Sequence, residues 1–129
     1  NTIEIFGPEK AIRKKIMSIV TDPTPVEAPK DPDKSIIFSI YKPFASEEKI
    51  SLMAKRFKEG GYGYGEAKKE LFSVLWEYFS PFRKKREELV SNPDAVKEIR
   101  EKGAQKAREA VIPTLEKVRK LVGVNNSFC

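Results

Sequence analysis

Apolar residues recur at helical spacing along most of this chain, and proline or glycine marks nearly every place where the period breaks. Ile3, Ile5 and Phe6 flank Glu4 in a short extended or connecting piece, too small to be a sheet. Pro8 is placed as the first residue of a helix on which Ile12, Ile16, Ile19 and Val20 form an apolar stripe, with Arg13, Lys14 and Lys15 between them. The run Thr21-Asp22-Pro23-Thr24-Pro25 stops that helix, and Pro29 and Pro32 keep the chain extended to about Asp33. Ile36, Ile37, Ile40, Tyr41 and Phe44 predict a short apolar helix ending near Pro43. Ser46 caps the next one, with Glu47 and Glu48 in its first turn and Ile50, Met53, Ala54 and Phe57 on its inner side, and Gly60 closes it.

Beyond the glycine-rich stretch, a helix starting at Glu66 carries Ala67, Leu71, Val74, Leu75, Tyr78, Phe79 and Phe82, with Trp76 adding aromatic mass. Pro81 is expected to kink this helix without ending it, since Arg86, Leu89 and Val90 continue the pattern. Asn92-Pro93 then starts a helix of about eight turns, running from Val96 through Ile99, Val111 and Leu115 to Gly123 and interrupted at Gly103 and Pro113. Its small residues, Gly103, Ala104, Ala107 and Ala110, would admit a close neighbour, and 124–129 reads as a loose tail. The sum is an all-α bundle of about five helices.

The stretch Gly60-Gly61-Tyr62-Gly63-Tyr64-Gly65 holds four of the seven glycines and two of the four tyrosines. Each glycine inside a helix would cost roughly 1 kcal/mol relative to Ala, so the backbone must turn here or come close to something. The loop leads into backbone N–H groups that attract anions, and Lys68 and Lys69 lie in the first turns of the helix that follows. A plain helix-to-helix turn whose tyrosines pack back on the core is the alternative.

Composition narrows the chemistry. At 129 residues the chain has the length of one domain, and 25 Lys and Arg against 19 Asp and Glu leave a net charge of +6, suited to a polyanionic partner. The absence of His removes the commonest general base and zinc ligand, and a single Cys, Cys129, makes no internal disulfide, so a reducing cytoplasmic setting is the default. No apolar run reaches the length of about 18 residues that spans a bilayer. The chain opens on Asn1 and not Met, which allows a piece of something larger.

Catalytic signals are weak. The glycine stretch reads G-x-G-x-G, follows a helix and lacks the Lys-Ser or Lys-Thr pair of a phosphate loop; paired carboxylates such as Glu47-Glu48 and Glu87-Glu88 point to different sides of a helix. The basic groups Arg13-Lys14-Lys15, Lys68-Lys69 and Arg83-Lys84-Lys85-Arg86 beside a tyrosine-bearing loop suit RNA, whose unpaired bases stack on rings while cations hold the backbone. On the residues alone, a helical RNA-binding module and a protein-interaction bundle with solvated basic faces both stay open.

The succession Lys14-Lys15-Ile16 into Val20-Thr21-Asp22, then Gly63-Tyr64-Gly65 with Lys68, then Pro81 with Arg83 and Arg86, then Gly103-Ala104 with Ala107 and Arg108, resembles the C-terminal part of bacterial tryptophanyl-tRNA synthetases. The likeness runs from residue 1 to about 123 and rests on order and spacing together. Tyrosyl-tRNA synthetases are the neighbouring family; the Thr21-Asp22 step and the Gly-Tyr-Gly loop favour the tryptophanyl one. The resemblance implies an all-α anticodon-binding domain of the class I synthetase type over 1–129, with 1–22 the connecting segment and first helix beside a missing catalytic domain, 33–123 the bundle and 124–129 the tail. It implies a cytoplasmic, homodimeric parent that activates tryptophan with ATP (with Mg) and charges tRNA(Trp), with no membrane or DNA partner.

The family's Lys-Met-Ser-Lys-Ser signature does not occur in this chain, and by similarity Asn1-Thr2-Ile3 would lie just downstream of it. No catalytic residue, cofactor or metal is therefore expected here. By the same likeness Tyr62, Gly63, Tyr64, Gly65, Lys68, Lys69, Arg83 and Arg86 are candidate RNA-binding residues, with Tyr62 or Tyr64 stacking on a base and Lys68 holding a phosphate, while Lys14, Lys15, Thr21 and Asp22 would support the hinge to the catalytic domain. Ile36-Ile37-Phe38 departs from the family, which often places a polar Asn there, and 125–129 matches nothing in it.

Overall fold

The computed structural model describes residues 2–124 and is all-α, as the periodicity predicts. In order along the chain come α1 (Glu9–Met17), a 3-10 turn (Pro32–Lys34), α2 (Ile36–Tyr41), α3 (Glu47–Glu59), α4 (Tyr64–Tyr78), α5 (Ser80–Ser91) and α6 (Pro93–Val122), with no strand among the described residues. They fall into two compact units, Asn1–Lys84 and Lys85–Cys129.

In the first unit α4 is the central helix, packed on α1 and on α2, and α2 in turn meets α3 and the 3-10 turn. The stripe that predicts α4 is its buried side: Ala67, Leu71, Val74 and Leu75 face Ile12 and Ile16 of α1, Ile37, Phe38 and Tyr41 of α2, and Met53 and Phe57 of α3 in one cluster. Each fully buried side chain of this size contributes roughly 1.5–3 kcal/mol over leaving it in water. Capping agrees with the pattern. Ser35 accepts from the Phe38 N–H at 3.3 Å, and Ser46 stands before Glu47 and Glu48 with its hydroxyl toward the Lys49 N–H.

Several boundaries differ from expectation. Helix α1 ends at Met17, so Ile19 and Val20 lie beyond it and Val20 is 82% exposed. Helix α2 ends at Tyr41, and Phe44 packs from the following turn. Helix α4 starts at Tyr64 with Gly63 as its N-cap, two residues earlier than Glu66. Pro81 does more than kink: α4 ends at Tyr78, Phe79 closes it with φ −86° and ψ 1°, and a new helix begins at Ser80. The physical reason is that proline lacks an N–H and its ring clashes with the carbonyl four residues back, so the chain gains by placing Pro81 in a first turn.

The second unit, described by itself, holds the rest of α5 and the 30-residue α6, none of whose residues is buried. Gly103 and Pro113 were expected to interrupt α6, yet it runs unbroken. Local terms sustain it. Asn92 accepts from the Ala95 N–H at 3.2 Å, Pro93 occupies the first position, Lys102 pairs with Glu98 at 2.5 Å one turn away, and Gly123 ends the helix with φ +75°. The carbonyl that Pro113 leaves without a donor belongs to exposed Glu109, where water can serve it. Of the tail expected over 124–129, residues 125–129 lie outside the described residues.

The turn after α3 is set by Gly60, at φ +78° and ψ −178°, a backbone region that only glycine enters freely. A Cβ there would stand 2.4 Å from the Glu27 carbonyl oxygen, so the connector after α1 passes directly over it; Gly61, at φ +73°, has open space around it. Gly61→Ala should therefore cost about 1 kcal/mol of unfolding free energy and Gly60→Ala roughly 3 kcal/mol. Urea unfolding of the two variants measures this, and equal losses would show that the Glu27 crossing does not constrain the turn.

Candidate nucleic-acid interface

The connector from Ser18 to Asp31 has no helix of its own, and side chains fasten it to α4 and to α3. Asp22 accepts hydrogen bonds from the Thr24 N–H at 2.9 Å and from the Thr24 hydroxyl, and its other oxygen accepts from the Tyr64 hydroxyl. Lys68, one turn along α4, donates to the Met17 carbonyl at the end of α1, 3.2 Å away. Lys30 is the least expected member. It is 4% exposed, its backbone N–H donates to the Phe57 carbonyl at 2.6 Å, and its ammonium donates to the carbonyls of Pro25 (2.8 Å), Ala28 (3.1 Å) and Val26 (3.2 Å) while standing 5.6 Å from the Tyr64 ring centre. A buried ammonium is tolerable when donors and charge are satisfied this fully.

The hydroxyl of Thr24, followed by that of Tyr64, holds the Asp22 carboxyl down to about 2. Burial, followed by the Asp22 hydrogen bond, pushes the Tyr64 phenol up to about 12. Both shifts favour the same pair, an ionised carboxylate accepting from a neutral phenol. Its contribution is complete above the ordinary carboxyl value of 3.8 and below the ordinary phenol value of 10; it is lost as pH falls toward 2 or rises through 12.

The candidate RNA residues do not share one disposition. Tyr62 is 3% exposed, with the Phe57 ring 5.3 Å away on one side and the Arg56 guanidinium 4.9 Å away on another, and Arg56 is itself paired with Glu70 at 2.5 Å. At that exposure Tyr62 offers almost no ring area to a base, because burying the ring against Phe57 gains more than leaving it in water. Tyr64 is half-buried, 5.8 Å from Phe57. Gly63 lies against Val26, Gly65 and Lys69 are exposed, and Lys68 is half-buried on α1.

Lys14 and Lys15 are exposed in the last turn of α1, whose end Lys68 grips, so packing draws two of the three basic groups together. Thr21 and Asp22 line a 160 Å³ hollow with Tyr64 and Lys34. Arg83 is engaged: its guanidinium stands 3.6 Å over the Trp76 ring and donates to the Trp76 carbonyl. Arg86 is exposed and belongs to the second unit.

Gly61 and Gly65 of the glycine stretch face open space, whereas Gly60 and Gly63 do not. The Glu27 carbonyl occupies the space over Gly60, Val26 that over Gly63, and among the described residues no group of three or more His, Cys, Asp or Glu could hold a metal ion. Sequence reasoning missed two features. Lys30 had no signal beyond its position between Pro29 and Asp31. The helical spacing of Tyr78 and Phe82 does not show that they are 47% and 53% exposed; the helix-breaking Pro81 is the available hint.

Comparison with known proteins defines the class as aminoacyl-tRNA synthetase. No family model matches the chain. It is 45% identical over 124 residues to the tryptophan–tRNA ligase of Rhodopirellula baltica and 43% identical over 124 residues to that of Fusobacterium nucleatum, 96% of this chain in each case. It covers 39% and 38% of those relatives, in their C-terminal part.

The crystal structure of Campylobacter jejuni tryptophanyl-tRNA synthetase complexed with ADP and tryptophan superimposes with a TM-score of 0.88 at 41% identity, over 95% of this chain and 39% of that one. The chain belongs to the tryptophan–tRNA ligase family. It spans about two fifths of the length of these relatives.

Tyr64→Phe should raise the Asp22 pKa from about 2 only part of the way to 3.8, because the Thr24 hydroxyl remains the larger influence. Carboxyl carbon shifts followed by NMR between pH 1.5 and 6 measure it (a range set by about two units around the ordinary carboxyl value). An unchanged Asp22 titration would show that the phenol does not hold the carboxylate.

Proposed function

We propose that this chain is the anticodon-binding domain of a tryptophan–tRNA ligase and that its part in the reaction is positional. The observation carrying this reading is the match across 95% of the chain to a tryptophanyl-tRNA synthetase of the same fold. The +6 charge, and Lys68 reaching from α4 to the end of α1 whose last turn carries Lys14 and Lys15, support a phosphate-holding surface. Lys68, Lys69, Arg83 and Arg86 set the register of tRNA(Trp), with Gly63 to Gly65 giving close approach at the start of α4. Tyr62 acts from inside by shaping the loop.

In the whole protein, a cytoplasmic homodimer, polypeptide outside this chain activates tryptophan with ATP and Mg and charges the tRNA. Lys14, Lys15, Thr21 and Asp22 form the hinge with that catalytic part. A 410 Å³ groove lined by Lys15, Ile19, Val20, Ile36 and Ile40, with Val20 82% and Ile36 56% exposed, supports a contact there. The rival reading, a protein-interaction bundle without RNA binding, draws support from the exposed apolar residues of α6, Ile99, Val111, Leu115 and Val118.

Titration of labelled tRNA(Trp) in rising salt separates the two. Binding should weaken with a log–log slope of about 0.7 per phosphate neutralised on a single strand, and Lys69→Ala should lower both the affinity and that slope, the slope by about 0.7. Absent or salt-independent binding would favour the protein-interaction bundle, and a slope unmoved by Lys69→Ala would remove Lys69 from the phosphate-holding surface.

A further inference from the structure

Besides the rings gathered on Phe57, two aromatic groups of the first unit have different fates. Along one side of α4, Phe72 and Trp76 stack at 5.8 Å and 21°, but Arg13 stands 5.8 Å over the Phe72 ring and Arg83 3.6 Å over the Trp76 ring, so protein cations already occupy this pair. At the α4–α5 junction the second group is open. Tyr78 and Phe82 lie 6.2 Å apart at 26°, a stacked pair, and are 47% and 53% exposed. Phe44 meets Tyr78 edge-on at 5.0 Å, and Phe79 lies 5.0 Å from Tyr78 and 5.9 Å from Phe82, so the exposed pair is held from beneath by half-buried rings. The two exposed rings lie on either side of the one-residue break at Phe79, Tyr78 at the end of α4 and Phe82 in the first turn of α5.

A patch of adjacent large rings left in water marks a contact surface more strongly than scattered apolar residues do. Its make-up selects the partner. Flat, mutually stacked, preorganised rings match the face of a nucleobase. Exposed Lys42 lies two residues before Phe44 and exposed Lys84 two residues after Phe82, so cations accompany the rings as a charged backbone requires.

We infer that Tyr78 and Phe82 form a stacking platform for an unpaired base of bound RNA, an inference that rests on the tRNA-binding reading and moves the base-stacking role from the glycine loop to the α4–α5 junction. The platform takes bases by their faces, so it contributes affinity with little preference among them, while neighbouring cations hold phosphate.

An RNA hairpin with the tRNA(Trp) anticodon stem-loop sequence, carrying 2-aminopurine in its loop, tests this with the full chain. Wild-type protein should bind it and change the 2-aminopurine fluorescence. Phe82→Leu and Tyr78→Leu, which keep apolar bulk, should each weaken binding by roughly 5- to 150-fold and abolish the fluorescence change. Phe82→Trp should preserve both. The salt slope should stay at the wild-type value in all three variants, unlike that of Lys69→Ala, because no cation has been removed. Circular dichroism melts identify any variant that fails to fold, and Phe82→Trp against Phe82→Leu then decides at the more exposed ring. Leu variants that bind with wild-type affinity and fluorescence would overturn the platform and leave the tRNA reading standing; a wild-type chain that binds no RNA would overturn both.

Discussion

The first unit depends on the burial of one ring. Phe57, fully buried near the end of α3, lies 6.3 Å from Phe38 of α2, 5.3 Å from Tyr62 of the glycine loop and 5.8 Å from Tyr64 of α4, and its carbonyl accepts the Lys30 N–H of the connector. Two helices, the loop and the connector thus converge on a single side chain and its own backbone. The glycines follow from this. Two rings cannot fold back onto Phe57 within a few residues of the end of its helix unless the chain reverses sharply, and Gly60 and Gly61 supply the positive φ values that the reversal needs.

Drawing both tyrosines toward Phe57 reassigns the loop. Its rings become a brace, and Tyr64 uses its hydroxyl to hold Asp22 while its face meets the Lys30 ammonium. Asp22, Lys30 and Lys68 all act on the segment between α1 and α2, each through a different interaction: a charge-assisted hydrogen bond, a cation among carbonyls, and a cation at a helix C-terminus. The residues that the family likeness divides into an RNA-facing set and a hinge set are in mechanical contact, because Tyr64 and Asp22 touch and Lys68 grips the helix bearing Lys14 and Lys15. A load on the connector would therefore be felt at the start of α4.

Helix α6 is built on different physics. It has no buried residue, and its order comes from an Asn92 cap, a first-position proline, oppositely charged pairs one turn apart such as Lys97 with Glu101 and Lys102 with Glu98, and a glycine stop. Length compensates for weak local terms, and exposure is what lets Pro113 and Gly103 stay inside it.

Much of the fold was legible along the chain because it is decided over four or fewer residues. The stripe Leu71, Val74 and Leu75, the caps Ser35, Ser46 and Asn92, and the Gly60 stop each depend on a near neighbour. Family membership was legible for a similar reason, since order and spacing survive where individual contacts change. What only the tertiary structure decided was which way a ring or a cation faces. Tyr62 turned inward because Phe57 and Arg56 await it, Lys30 was buried because three carbonyls of its own loop converge there, and Tyr78 and Phe82, on either side of the break at Phe79, were left in water. Periodicity records that a residue has an apolar side chain at a helical position; whether that side chain meets protein or water depends on partners brought in from elsewhere.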